Sequence, residues 1–279
     1  MTNVGLWGRP TMLMGGGLVA FWVIVALCAP VLAPFDPLKS LTPLASPGAL
    51  APNGGTFWLG TDLLGRDILS RLLYGARPVV VLSTIATLTA YGVGVSSGLA
   101  AGYFGGWIDA VLSFLANVIL SFPVLLLYIV IIVSFGASPV NVIIAVTFAS
   151  APAVFRIVRT IAADLRQRDF VWAAILQGES TWRILAFDIL PNATGPLSVD
   201  FCLRLGYTTI TIGALGFLGL GLPPPAPDWG GMVNEGRSLA FAFPHLVVFP
   251  CLAISSLVLG LSLLADGLND PGPSGSRRP

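Results

Sequence analysis

The chain has 279 residues, of which 55% are hydrophobic and 10% charged, and its mean hydropathy is +0.87. Soluble domains carry roughly 25% charged residues, so this composition excludes an ordinary water-soluble fold. A formal net charge of +1 offers little to a nucleic-acid backbone, and Cys28, Cys202 and Cys251 are too scattered for a disulfide framework or a zinc site.

The charges are segregated. No Asp, Glu, Lys or Arg occurs in 10–35, 78–108, 110–155, 205–227 or 238–265. A spanning helix needs about 20 mostly apolar residues, and the third window is long enough for two, joined at Gly136-Ala137-Ser138-Pro139. The expectation is an all-α polytopic membrane protein with six transmembrane helices, near 12–33, 79–101, 112–135, 139–158, 197–221 and 243–265. The continuous apolar runs lack the two-residue alternation of barrel strands.

The first span reads as an uncleaved anchor helix, because its apolar run is long for a secretion signal. Residues 34–78 follow as an extracytoplasmic segment. Its Pro/Gly-rich first half should be irregular, and Ile68, Leu69, Leu72 and Leu73 space a short surface helix leading into the second span. Gly94, Gly98, Gly102 and Gly106 recur every fourth residue, which suits close helix packing within a bundle. Pro123, Pro152 and Pro250 lie in or beside spans, where a missing N–H can kink a helix.

Residues 156–196 form a polar island. Arg156, Arg159, Arg166, Arg168 and Arg183 sit there with Asp164, Asp169, Glu179 and Asp188, yet Phe170, Trp172, Ile175, Trp182, Ile184, Leu185 and Ile189 run through it. An extramembrane segment that keeps such residues has something to pack them against, such as another protein. With six spans the island shares a side with both termini. That side then carries nine basic residues against five, which places it in the cytoplasm by the positive-inside rule. Beyond the fifth span, the loop 219–237 contains Pro223-Pro224-Pro225 and Trp229, and is either a rigid turn or part of a docking surface or outer gate. The tail, 267–279, is Pro/Gly/Ser-rich and expected to be disordered.

Several chemistries are missing. Lys39 is the one lysine and lacks a preceding Gly, so there is no Walker A loop, and ATP chemistry would need another subunit. The single histidine, His245, sits at a span end and argues against a Ser-His-Asp site. Asp109, Asp200, Arg204 and Asp266 lie near span ends, where anchoring or salt-bridging fits better than proton coupling at mid-membrane. The chain offers a path and a docking surface without an engine.

The island resembles the cytoplasmic coupling loop of binding-protein-dependent ABC importer permeases, whose pattern is Glu-Ala-Ala, three residues, Gly, then Ile/Leu-Leu-Pro. Ala173, Ala174 and Gly178 match it, followed by Ile189, Leu190, Pro191 and Asn192. WLGTDLLGRDILSRLLYGAR (58–77), AGYFGGWID (101–109), GFLGLGLPPPAPDWG (216–230) and LLADGLND (263–270) are similar to the C-type permease of dipeptide, oligopeptide and nickel importers. The pattern's Glu is Trp172 here.

The resemblance implies a type I importer permease (MetI-like) core over 79–266, with the coupling loop at 159–195. It implies half of a translocation path for peptides, or for nickel or another small solute, in the cell membrane. The partners would be a homologous B-type permease subunit, one or two cytoplasmic ATPase subunits or a fused ATPase holding ATP and Mg, an extracytoplasmic substrate-binding protein and the lipid bilayer. Neither nucleic acid nor a cofactor or catalytic site in this chain is expected. ATPase coupling would fall on Asp169, Trp172, Ala173, Ala174, Gly178, Trp182, Arg183, Leu190 and Pro191. Docking or outer gating would fall on Asp62, Arg66, Asp67, Pro224 and Trp229. The rival is a stand-alone secondary carrier or channel with the island as a regulatory loop.

Overall fold

The computed structural model describes residues 10–52 and 54–269, so the terminal stretches 1–9 and 270–279 lie outside it. Ten α-helices follow one another in the described residues, beginning with α1 (Pro10–Leu32) and α2 (Ile68–Phe104). Between these two helices the chain is largely irregular, as expected, apart from a two-stranded antiparallel ribbon of β1 (Ala49–Leu50) and β2 (Thr56–Phe57).

The short surface helix and the second span are one element. α2 runs 37 residues, about 55 Å at the rise of an α-helix, straight through Pro78. Ile68, Leu72, Ala76 and Val79 form one buried face on both sides of the proline, packed with Trp22 and Trp229. That continuous face outweighs the backbone hydrogen bond that Pro78 removes.

The third apolar window breaks instead. α3 (Gly106–Leu120) and α4 (Val124–Phe135) meet at 86°. Pro123 disfavours helical geometry at Phe122 and cannot donate to the preceding turn, so α3 ends before it. At the next turn, Ser138 caps α5 (Pro139–Leu165) by accepting from Asn141 N, with Pro139 in the first turn. Asn141 Nδ2 closes the turn on the Phe135 and Gly136 carbonyls at 2.9 and 2.8 Å. α5 passes through Pro152 unbroken.

Three of the four spaced glycines explain how α2 and α5 pack. A Cβ at Gly94, Gly98 or Gly102 would lie 2.5–2.9 Å from Val154 and Ala151, Val158 and Phe155, or Arg159 and Ala162. The two backbones therefore touch over two turns. Gly106 faces open space and is no part of this seam.

The island folds as α6 (Asp169–Leu176) and α7 (Thr181–Arg183), followed by a π-helical segment, Ile184–Ile189, and α8 (Leu190–Phe217). The backbone is helical from Thr181 to Phe217, so the expected fifth span grows directly out of the island instead of starting at 197. After α9 (Trp229–Gly236) and a 3₁₀ turn, α10 (His245–Asn269) completes the bundle. Residues 267–269, expected in the disordered tail, are the last turn of α10; the rest of that tail lies outside the described residues.

Among the described residues α1, α2, α5 and α10 are long and apolar enough to cross a membrane, and the bent pair α3–α4 raises the number from four to five. α8, with 28 residues, has the length but carries Asp200, Arg204, Thr208 and Thr209. Its polar groups turn inward. Arg204 Nε meets Asp200 Oδ2 at 2.7 Å, the Tyr91 hydroxyl donates to the same carboxylate, and Thr87 meets Thr208 at 3.2 Å. Polar side chains at a helix–helix contact hold a bundle together without facing lipid.

Candidate coupling surface

Arg168 enters α6 in extended geometry, and the helix closes on a glycine. Gly178, at φ 78°, donates to the Ile175 carbonyl at 3.0 Å, and Glu179 donates to Ala174 at 3.1 Å. This paired ending needs a left-handed residue after the cap. A Cβ at Gly178 would meet nothing within 4 Å, so the glycine is required by backbone conformation and not by space. The α6 and α7 axes are thereby set apart, with Glu179 bridged to Arg183 Nε at 3.0 Å.

One side of this element is glued to the bundle. Val171, Ile184 and Ile189 are buried in a cluster with Leu99, Val154, Val158 and Ala162, and Ala174 and Leu190 pack against it. The π-helical segment accommodates Pro191, since Leu190 N reaches back five residues to Leu185 O before the normal ladder resumes. Asn192 Nδ2 donates to the Asp188 carbonyl at 2.6 Å.

The other side is bare. Trp172 and Phe187 are exposed, Trp182 is 75% exposed and Leu176 is 85% exposed. Asp169, Ala173, Arg183 and Pro191 also lie at the surface. A cleft of about 560 Å³ opens between α6 and the π-helical segment, lined by Phe170, Ala173, Ala174, Gln177, Arg183 and Phe187, with Glu179 and Asp188. The nine residues expected to couple thus belong to one local element, split between an anchored face and a free one. Leu176 and Phe187 were missed; the signal for Leu176 was its place one helical turn from Trp172.

The opposite end of α2 corrects the other expectation. Asp62, Arg66, Asp67 and Trp229, expected at a docking surface or gate, are buried within this chain, and of that set Pro224 alone is exposed. Asp62 Oδ2 takes Arg66 Nε at 2.7 Å and also pairs with Arg71 Nη1. Glu235 Oε2 takes Arg66 Nη2 and Arg71 Nη1, each at 2.6 Å. Asp67 caps α2 through the Ser70 amide and hydroxyl at 2.8 and 2.6 Å. Burial pushes the Asp67 carboxyl above the usual carboxylate range, against those two hydrogen bonds.

Trp229 is 0% exposed. Its Nε1 donates to the Leu72 carbonyl at 2.9 Å, and its ring meets Trp22 edge-on at 4.7 Å. Beside it Asp228 caps α9 through Gly231 N at 3.0 Å, and burial raises its carboxyl as well. Side chains this enclosed cannot touch a docking protein; they clamp the loop 34–67 and α9 onto α2. Arg71 and Glu235 were not singled out from sequence, because Glu235 joins the network from more than 160 residues away.

Two of the acids near span ends are paired. Asp109 is held by Arg159 through both carboxylate oxygens, and Asp200 by Arg204. This matches the expected salt-bridging role; Asp266 is exposed on α10.

Residues 90–270 match the family described as binding-protein-dependent transport system inner membrane component. The chain belongs to that family. It is 41% identical over 213 residues to a glutathione transport system permease protein of Pectobacterium atrosepticum, covering 76% of this chain and 71% of the relative. It is 36% identical over 260 residues to a dipeptide transport system permease protein of Haemophilus influenzae, covering 92% and 88%. A dipeptide transport system permease protein of Alkalihalophilus pseudofirmus is 36% identical over 253 residues, covering 91% and 82%. The chain is therefore an inner-membrane permease component, and the family description implies a substrate-binding protein and an ATPase as partners.

Proposed function

We propose that this permease component is half of the translocation path of a type I importer for short peptides, with a homologous B-type subunit as the other half. The observation that carries the reading is the α6–Gly178–α7 element, one face buried in the bundle and the other presenting Trp172, Leu176, Trp182 and Phe187. A surface of that kind transmits force, because a partner seated on the free face moves α5 and α8 through the buried one. Closure of ATPase subunits on ATP would drive it, with ATP and Mg held by those subunits and no catalysis by this chain.

In this reading α8 spans the membrane as the fifth of six helices, its charges shielded by α2, and the termini and island are cytoplasmic. The loop 34–67 and Pro224 are extracytoplasmic and form the face toward the binding protein, with Asp62, Arg66, Asp67 and Trp229 holding its shape. The names of the relatives, glutathione and dipeptide permeases, favour a peptide over nickel or another solute.

The test is reconstitution in liposomes with the B-type subunit, the ATPase and the binding protein. Peptide uptake that requires ATP and all four components is the expected result. Uptake by this chain alone under an ion gradient would overturn the reading in favour of a carrier.

A further inference from the structure

An apolar groove of about 570 Å³ runs along the face where α2, α3 and α5 meet, walled by Val93, Leu112, Leu115, Ile144, Phe148 and Phe155 among others. Toward the C-terminal end of α5 the same helices enclose a second cleft of about 340 Å³, and its chemistry is different: Arg159, Arg166, Gln167, Asp109 and Trp172 line it. In sequence Arg156 follows Phe155 of the groove and precedes Arg159 of the cleft on α5, and it reaches Asn117 on α3 at 2.9 Å.

Charge distinguishes this end from the rest of the bundle. Arg159 is neutralised by Asp109, but among the described residues neither Arg156 nor Arg166 takes part in a salt bridge. Arg166 lies 5.5 Å over the Tyr103 ring and lines the cleft. Phe148, Pro152, Phe155, Arg159 and Arg166 follow one another on one side of α5 at helical spacing. One helix face thus passes from an apolar wall to a cationic one, with Trp172 at the rim.

We propose that this composite groove binds an anionic phospholipid, with an acyl chain between α2, α3 and α5 and the phosphate between Arg156 and Arg166. The groove matches a hydrocarbon chain, and the two guanidinium groups without a carboxylate partner match the headgroup; basic pockets between helices at the cytoplasmic boundary hold anionic lipids in this way. The inference rests on the proposed orientation, which puts the C-terminal end of α5 at the cytoplasmic leaflet. Because α6 begins just beyond Arg166, the lipid would abut the coupling element.

The test uses the assembled transporter in nanodiscs of phosphatidylglycerol or phosphatidylcholine, followed by gentle detergent exchange and mass spectrometry of retained lipid. A photo-crosslinking residue at Val93 reports what fills the groove. The expected result is retained phosphatidylglycerol, crosslinked at Val93. Arg156→Ala with Arg166→Ala should cut the preference over phosphatidylcholine about tenfold, while Arg156→Lys with Arg166→Lys keeps most of it.

Equal retention of the two lipids by the native complex, which needs no variant to fold, would overturn the proposal. So would a Val93 crosslink to the other permease subunit in place of lipid. Lipid retention does not depend on transport, so ATP-driven uptake with no retained lipid would sink this inference alone. Retained lipid without uptake would count against the proposed function instead.

Discussion

The two ends of α2 carry the two regions whose residues stood out for a partner, and they are inverted copies of each other in solvation. At the Asp67 end, acids and arginines are inside: Asp62, Arg66 and Arg71 are buried and tied to Glu235, beneath a loop that covers Trp229. At the island end the charges are mostly outside, and so are Trp172, Leu176, Trp182 and Phe187. A polar segment that contains aromatic residues can thus be a clamp or a dock. What separates them is whether the chain has enough of its own surface to cover the aromatics. The loop 34–67 and α9 supply a cover for Trp229; among the described residues Trp182 has no such cover and is 75% exposed.

Substitutions should separate the two regions by which property they damage. The largest effect falls on the clamp, where Trp229→Ala removes a fully enclosed ring and a hydrogen bond and should cost about 4 kcal/mol, read as a fall in thermal stability with ATPase binding retained by the protein that folds. Arg71→Ala follows at about 3 kcal/mol, because it leaves Arg66 alone against the Asp62 and Glu235 carboxylates. Arg71→Met combined with Asp62→Leu should recover a large part of that loss, and failure to recover would mean that the network is not buried in the way described.

At the island, Gly178→Ala forces a Cβ into left-handed backbone and should cost about 1 kcal/mol, with a greater loss of transport than of stability because the α6–α7 angle changes. The smallest stability effect, within about 0.5 kcal/mol, belongs to Trp172→Glu, which changes an exposed side chain. Its readout is assembly: weaker ATPase retention is expected if the partner cleft is apolar, and unchanged or improved assembly and transport would show that it is not.

Much of this architecture is legible in the residues. Charge-free windows located the long helices except in their ends and the break between α3 and α4, and Gly94, Gly98 and Gly102 announced a close helix contact without saying that α5 makes it. The break at Gly178 followed from the one residue type that tolerates its φ. What stayed hidden depended on distant partners. Pro78 is a sound reason to end a helix, and the structure continues α2 because residues far away in sequence, Trp22 and Trp229, bury both sides of it. The burial of Asp62 and Arg66 likewise depends on Glu235, which nothing local connects to them. The exposed face of α6 could be seen as apolar from sequence, but its exposure could not, since Val171 and Trp172 are neighbours with opposite fates.

We propose that the free face of the α6–Gly178–α7 element seats the ATPase. The most direct measurement is co-purification of the ATPase with the membrane-inserted permease pair, comparing the native chain with Leu176→Asp and Trp182→Asp together. Those side chains contribute little to the fold because they are 85% and 75% exposed. The expected result is normal insertion and permease pairing with the ATPase lost and uptake abolished. ATPase retained at the native level, with uptake intact, would contradict it.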